Sequence, residues 1–188
     1  MRECCQPIIL RPSELDRLAA LAKARIRSFA PIADRHARVL ILGSMPGRAS
    51  LEAGRYYAHR QNAFWRIVCE LLGVDPGSSY ARRVQALKAA RIALWDVLQS
   101  CSRRGSLDSG IERESEIAND FPAFLRKHRQ IRRICFNGAK AASSFKRSVM
   151  PALGRRALRY SRLPSTSPAN ASVTYERKRR AWRAILKS

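Results

Sequence analysis

Acidic residues are scarce in this chain, and towards its end they almost vanish. Against 37 Lys and Arg there are 14 Asp and Glu, and beyond Asp120 the only acid is Glu176, facing 18 basic residues. The net charge of +23 is therefore uneven, with +17 on the last 68 residues and +6 on the first 120. So large and lopsided a charge argues against an ordinary small-molecule enzyme. It points to a face that meets a polyanion, with nucleic acid ahead of an anionic membrane surface or a merely solubilising charge.

Long hydrophobic runs are missing as well. The apolar stretch Pro7–Leu10 is too short for a leader, and nothing could span a bilayer. The chain is thus expected in the cytoplasm, near the nucleoid, with no membrane partner. The five cysteines (Cys4, Cys5, Cys69, Cys101 and Cys135) are odd in number and none pair in C-x-x-C spacing. That argues against a zinc knuckle or a disulfide framework, so no metal or other cofactor is expected. Cys69 and Cys135 sit among apolar residues and read as core. Also absent is G-x-G-x-x-G: the stretch Gly43-x-x-Pro-Gly47 lacks its glycines and opens no helix at once, which disfavours a dinucleotide site.

What is present is a globular pattern, 46% hydrophobic over 188 residues, enough for one domain spanning 1–188. Ser13 and Asp16 resemble a capping box, and Leu15, Leu18, Ala19, Ala22 and Ile26 follow at helical spacing, so residues 1–30 are expected to form a helical segment ended by Pro31. Arg38–Leu42, Ile92–Val97, Ile131–Phe136 and Leu158–Leu163 read as four strands. Phe64–Leu72, Tyr80–Ala90, Asn119–His128, an Ala-rich stretch after Gly138 and a basic C-terminal stretch read as helices, the last with Trp182, Ile185 and Leu186 on its apolar face. Ser44–Gln61 and Ser100–Gly110 read as loops. Strands alternating with helices predict an α/β fold: a four-stranded, mostly parallel central sheet flanked by helices. In such sheets reactive groups gather beyond the carboxyl ends of the strands. That brings together Gly43–Gln61, Trp95–Ser109, Asn137–Gly138 and Pro164–Ser172.

Three segments in those loops resemble one family. Gly43-Ser44-Met45-Pro46-Gly47, followed by Tyr56 to Trp65 with Ala58-His59-Arg60-Gln61-Asn62-Ala63-Phe64-Trp65 inside it, is similar to the first motif of mismatch-specific uracil and thymine-DNA glycosylases. Cys135–Lys140 resembles their third-strand turn, and Leu163–Ala171 the second motif, a Ser/Pro-rich loop that presses into the duplex. The likeness to the uracil-DNA glycosylase superfamily covers roughly residues 38 to 188 and is nearest its hypoxanthine-DNA glycosylase branch. The order and spacing of the motifs make the set more specific than any one of them.

The resemblance implies a monomeric DNA-repair hydrolase that flips a deaminated base, uracil or hypoxanthine, out of DNA and leaves an abasic site. Gly43, Pro46, Gly47, Ser165 and Ser167 would hold phosphates, Pro168, Ala169 and Asn170 would wedge the gap, and Arg103 and Arg104 would clamp near the site. Tyr57 would stack on the flipped base, or only pack in the core. Asp96, as a carboxylate, would accept from a base N–H, or pair with an arginine. Asn137 would touch base or backbone, or simply make an Asn-Gly turn. Met45 stands where related enzymes carry Asp or Asn and cannot hold water. Asn62 is the replacement candidate, beside Ser44 in the catalytic set, and its rival role is to cap the following helix. Ser167 stands in place of a histidine, so His59 becomes a candidate donor to the leaving base. No lysine suggests lyase chemistry. The alternatives are a damage or abasic-site binder with slow turnover, and an RNA-binding protein of the same fold.

Overall fold

Val-Leu-Ile-Leu and Ile-Ala-Leu-Trp run without polar alternation, the mark of strands buried on both faces. A computed structural model of the chain describes residues 25–154 and 156–187. Its elements are, in order, β1 (Arg25–Arg27), β2 (Val39–Gly43), α1 (Arg48–Ala53), α2 (Phe64–Leu72), α3 (Tyr80–Ala89), β3 (Ile92–Asp96), β4 (Leu98–Ser102), β5 (Ile117–Ala118), α4 (Phe121–Lys127), β6 (Arg133–Asn137), α5 (Ala139–Ser148), β7 (Arg159–Leu163) and α6 (Tyr175–Trp182). Every residue of β2 and β3 is buried.

The main sheet has the order β3-β2-β6-β7, and all three pairings are parallel. The α/β expectation of a four-stranded parallel sheet flanked by helices holds. Register aligns the strand ends: Gly43 lies opposite Asp96, and Asn137 opposite Leu163. The helices start and stop where the sequence supplies caps. Ser79 accepts from Arg82 N, Asp120 from Ala123 N with Pro122 in the first turn, and Gly73 ends α2 in the left-handed region. Aromatic rings fill the core, with Phe64 edge-on to Trp65 and Trp182, and Phe121 against Trp95 and Phe145. Cys69 and Cys135 are buried there, as expected.

Four expectations need correction. The helix proposed for residues 1–30 falls mostly outside the described residues, as do Cys4 and Cys5, but it does not reach Ile26: Arg25–Arg27 is a strand paired antiparallel with β4. Ser44–Gln61 is not all loop, because α1 lies inside it. Ser100–Gly110 begins with β4, part of a small sheet of order β1-β4-β5. Leu98-Gln-Ser-Cys-Ser carries almost no apolar period, so burial of Ser100 and Ser102 was not legible from pattern. Leu186 is 49% exposed, while Trp182 and Ile185 are buried. Among the described residues no helix is long and apolar enough to cross a membrane.

Candidate active site

The carboxyl ends of β2, β3 and β6 deliver Gly43, Asp96 and Asn137 to one cavity of about 880 Å³. A Cβ on Gly43 would lie 2.4 Å from Asp96 Oδ1 and 2.9 Å from the Tyr57 hydroxyl oxygen. The missing side chain is what lets carboxyl and phenol approach. Just beyond, Val97 N and Leu98 N donate to the carbonyls of Gly43 and Ser44, locking the two strand ends together.

Asp96 is the most constrained group. It is 3% exposed, and its Oδ2 has no hydrogen-bond partner among the described residues. Burial, then the charge of Asp108, pushes its carboxyl up to about 8, with Arg103 opposing. Below that pH the group is a neutral acid with a donor beside an acceptor, not the carboxylate expected from sequence. It makes no ion pair among the described residues, so the alternative of an arginine bridge is not realised.

Tyr57 sits at φ +54°, a strained backbone for a bulky residue. Two contacts hold it there. Its ring stacks on Phe64, centroids 3.9 Å apart at 17°, and Asn137 Nδ2 donates to its hydroxyl oxygen at 3.0 Å. Packing on Phe64 fulfils the core role, while the half-buried ring still lines the cavity. Burial, then Asp96, raises its phenol, so the O–H keeps its proton. Asn137 is a clamp: its second amide proton goes to Thr166 Oγ1 at 2.9 Å, and its Oδ1 accepts from Thr166 N at 2.9 Å. Both donors expected to meet a base are therefore committed.

Asn62 lines the same cavity and also serves the helix start, close to its rival role: one residue ahead of the N-cap position Ala63, its Oδ1 accepts from Phe64 N at 3.0 Å. One lone pair of that oxygen, and the NH₂ group, carry no hydrogen bond among the described residues. His59 is exposed at the rim, where its Nδ1 accepts from Gln61 N at 3.2 Å; a neutral ring then carries its proton on Nε2. Met45 is 6% exposed and joins core to cavity wall. Ser44 Oγ donates to Asp108 Oδ1 at 2.6 Å.

The second loop is pinned from three sides. Trp182 Nε1 donates to Pro164 O, Lys178 Nζ to Asn170 O at 2.8 Å, and Ala63 N to the carbonyl of Thr166 at 3.0 Å. Asn170 also ties back to Ser165 O at 3.1 Å. Gly138, at φ +96°, lets β6 pass the loop, since a Cβ there would stand 3.0 Å from Ser165 Cβ. Ser165, Ser167, Pro168, Ala169 and Asn170 all line the cavity, with Pro168 and Ala169 exposed at its mouth.

The arginines differ from expectation. Arg103 Nη2 props the first loop from behind, donating to Pro46 O at 2.9 Å, and Arg104 leans out towards Glu112 at 3.7 Å. Neither lines the cavity; the exposed cations on its rim are Arg48 and Arg162. Sequence reasoning missed both, along with Thr166, Ser106 and Asp108. For Asp108 a signal existed, an acid in a loop following the second strand. For Thr166 there was none beyond membership of the loop. Among the described residues no group of three His, Cys, Asp or Glu is placed to hold a metal ion.

Comparison with known proteins agrees with this fold. The family model for the uracil DNA glycosylase superfamily matches residues 30–186. A hypoxanthine DNA glycosylase of Methanosarcina acetivorans is 35% identical over 162 residues, 86% of this chain and 98% of that protein. A hypoxanthine DNA glycosylase of Methanosarcina barkeri is 36% identical over 116 residues, 61% of this chain and 72% of its own. A solution NMR structure from Methanosarcina acetivorans, of a protein put forward as a uracil DNA glycosylase, superposes with a TM-score of 0.73 at 35% identity, covering 87% of this chain and 97% of that one. The motif resemblance, the parallel sheet and these relatives converge, and the chain belongs to the uracil DNA glycosylase superfamily.

Proposed function

We propose that the protein is a monomeric DNA glycosylase that hydrolyses the bond between deoxyribose and a deaminated base, hypoxanthine or uracil, flipped out of DNA, and leaves an abasic site. The observation that carries this reading is the unpartnered Asp96 oxygen, buried at the base of a cavity that Tyr57 and Asn62 also line. A buried polar atom without a partner is rare and asks for a ligand. In its neutral form Asp96 offers O–H and C=O side by side, the complement of the N1–H and O6 of hypoxanthine or the N3–H and O4 of uracil. The same pair also complements adenine, so selection for the deaminated base rests on its easier departure as an anion as well as on this contact.

Tyr57 offers a ring wall for the flipped base. Asn62, with a free amide and a free lone pair, orients the attacking water, and its bond from Phe64 N fixes the amide's direction. The rim arginines Arg48 and Arg162, the backbone of both loops, and exposed Pro168 and Ala169 hold the strand and fill the gap. Among the cavity-lining residues described there is no lysine for a Schiff base, which supports simple hydrolysis. Met45 at the motif position and Ser167 in the second loop favour one other reading, a damage binder that retains abasic DNA and turns over slowly. Single-turnover incubation with duplexes holding one hypoxanthine, uracil, xanthine or thymine, then alkaline cleavage, separates the two. Release of hypoxanthine or uracil is expected. No release from any duplex, with tight binding of abasic DNA, would assign the protein to damage binding.

A further inference from the structure

One further acid in the cavity was given no role above. Asp108 comes from the segment after β4, outside both motif loops, and lines the cavity beside Ser44. Its segment docks on the first loop twice: Ser44 Oγ donates to Asp108 Oδ1 at 2.6 Å, and Arg48 N donates to Ser106 Oγ at 3.1 Å. The other oxygen of Asp108 makes no hydrogen bond among the described residues. Depth sorts the two carboxyls. Asp96 is 3% exposed with an unpartnered oxygen, the position given above to the base edge. Asp108 is half-buried, next in sequence to the exposed Leu107, and so lies nearer the mouth. On the reading above, a base held at Asp96 leaves to its sugar the outer part of the cavity, which the less buried Asp108 also lines.

We propose that Asp108 is a catalytic carboxylate of this site, facing the sugar, stabilising the positive charge that develops there and taking a proton from the attacking water. The inference rests on the glycosylase reading above. Departure of the base leaves an oxocarbenium-like sugar, and a fixed negative charge beside it acts mainly on the transition state. Met45 brings no charge from the motif position, so this role falls to a different segment. In the step itself the sugar C1′–N bond breaks with its electron pair going to the base. The water oxygen bonds to C1′ and gives one proton to Asp108, and the base takes a proton from solvent. Asp108 then releases its proton, so the net change is addition of water across the bond. Burial raises the Asp108 carboxyl above its ordinary value, opposed by the Ser44 hydrogen bond, Arg103 and Lys140, with Glu116 adding to the rise; for Asp96 only Arg103 opposes it. A role limited to tethering the segment would need an acceptor for Ser44, not a charge.

Asp108→Asn keeps that acceptor and removes the charge, which makes it the deciding variant. Single-turnover release of hypoxanthine from a duplex is expected to slow at least a hundredfold, with melting temperature and affinity for undamaged duplex unchanged. Asp108→Ala should slow equally and recover tenfold or more in formate, a small carboxylate able to enter the vacated space; this rescue decides the matter should the Asn variant fold poorly. An Asp108→Asn protein that works at the wild-type rate would overturn the proposal while leaving the glycosylase reading intact. A wild-type protein that releases no base would overturn both.

Discussion

At the scale of single residues, the site turns on how close polar groups are forced together. Gly43 admits Asp96 and Tyr57 to within contact of one backbone position. Gly43→Ala should therefore displace the carboxyl or the phenol and cut base release steeply. The buried Asp96 also makes stability depend on pH. An unfolded Asp ionises near 3.9, whereas in the fold Asp96 ionises at about 8. Between those values the folded state holds a proton that the unfolded state has lost. The favourable contribution is complete below pH ~4 and is lost as pH rises through about 8, with a limiting slope of about 1.4 kcal/mol per pH unit. Urea unfolding between pH 5 and 8 should show wild-type stability falling with pH and Asp96→Asn nearly flat; parallel slopes would mean Asp96 is ionised in the fold. The motif glycine was legible in the sequence as the opening of a motif loop, but its reason, room for two side chains from distant segments, was not. Asn62 shows a similar limit: one residue type suits capping and catalysis alike, and the structure bonds it to the helix start while leaving the amide free.

Among the elements, the clamp between β6 and the second loop gives the site its shape. Asn137 joins Tyr57 to Thr166 through three hydrogen bonds, and Ala63 N joins the start of α2 to the same loop. Asn137→Ala removes all three side-chain bonds and leaves Thr166, 1% exposed, with unpaired polar atoms. The expected loss is about 2–3 kcal/mol of stability in chemical unfolding, together with slower base release. A stability within 0.5 kcal/mol of wild type would show that water or rearrangement replaces the clamp. β2 and β3 were legible because continuous apolar runs have no other comfortable place, whereas the edge strand β7, Arg-Tyr-Ser-Arg-Leu, is mostly exposed and was read from its place in the strand–helix alternation. β1 and β4 were not legible, because they are short, rich in Ser and Arg, and stabilised by pairing rather than by period. The loop cluster at the strand ends followed from topology alone, but which arginines reach its rim did not, since that depends on side chains from α1 and β7.

Across the whole molecule, charge and cavity divide the work. The +17 on the last 68 residues spreads over α4, β6, α5, β7, α6 and the loops between them, and it attracts DNA whatever its sequence. Affinity for undamaged duplex should therefore fall steeply with salt, and replacing Arg48 and Arg162 together by Ala should lower the salt slope by about one per lost phosphate contact. Hydrolysis, by contrast, belongs to the cavity. The central claim is that these two functions are separable, and it is tested most directly by Asn62→Ala on a duplex holding one hypoxanthine, with DNA affinity and single-turnover base release measured together. The account predicts at least a tenfold drop in release with affinity for DNA unchanged. An unchanged rate would contradict it and remove Asn62, and with it this placement of the attacking water, from the chemistry.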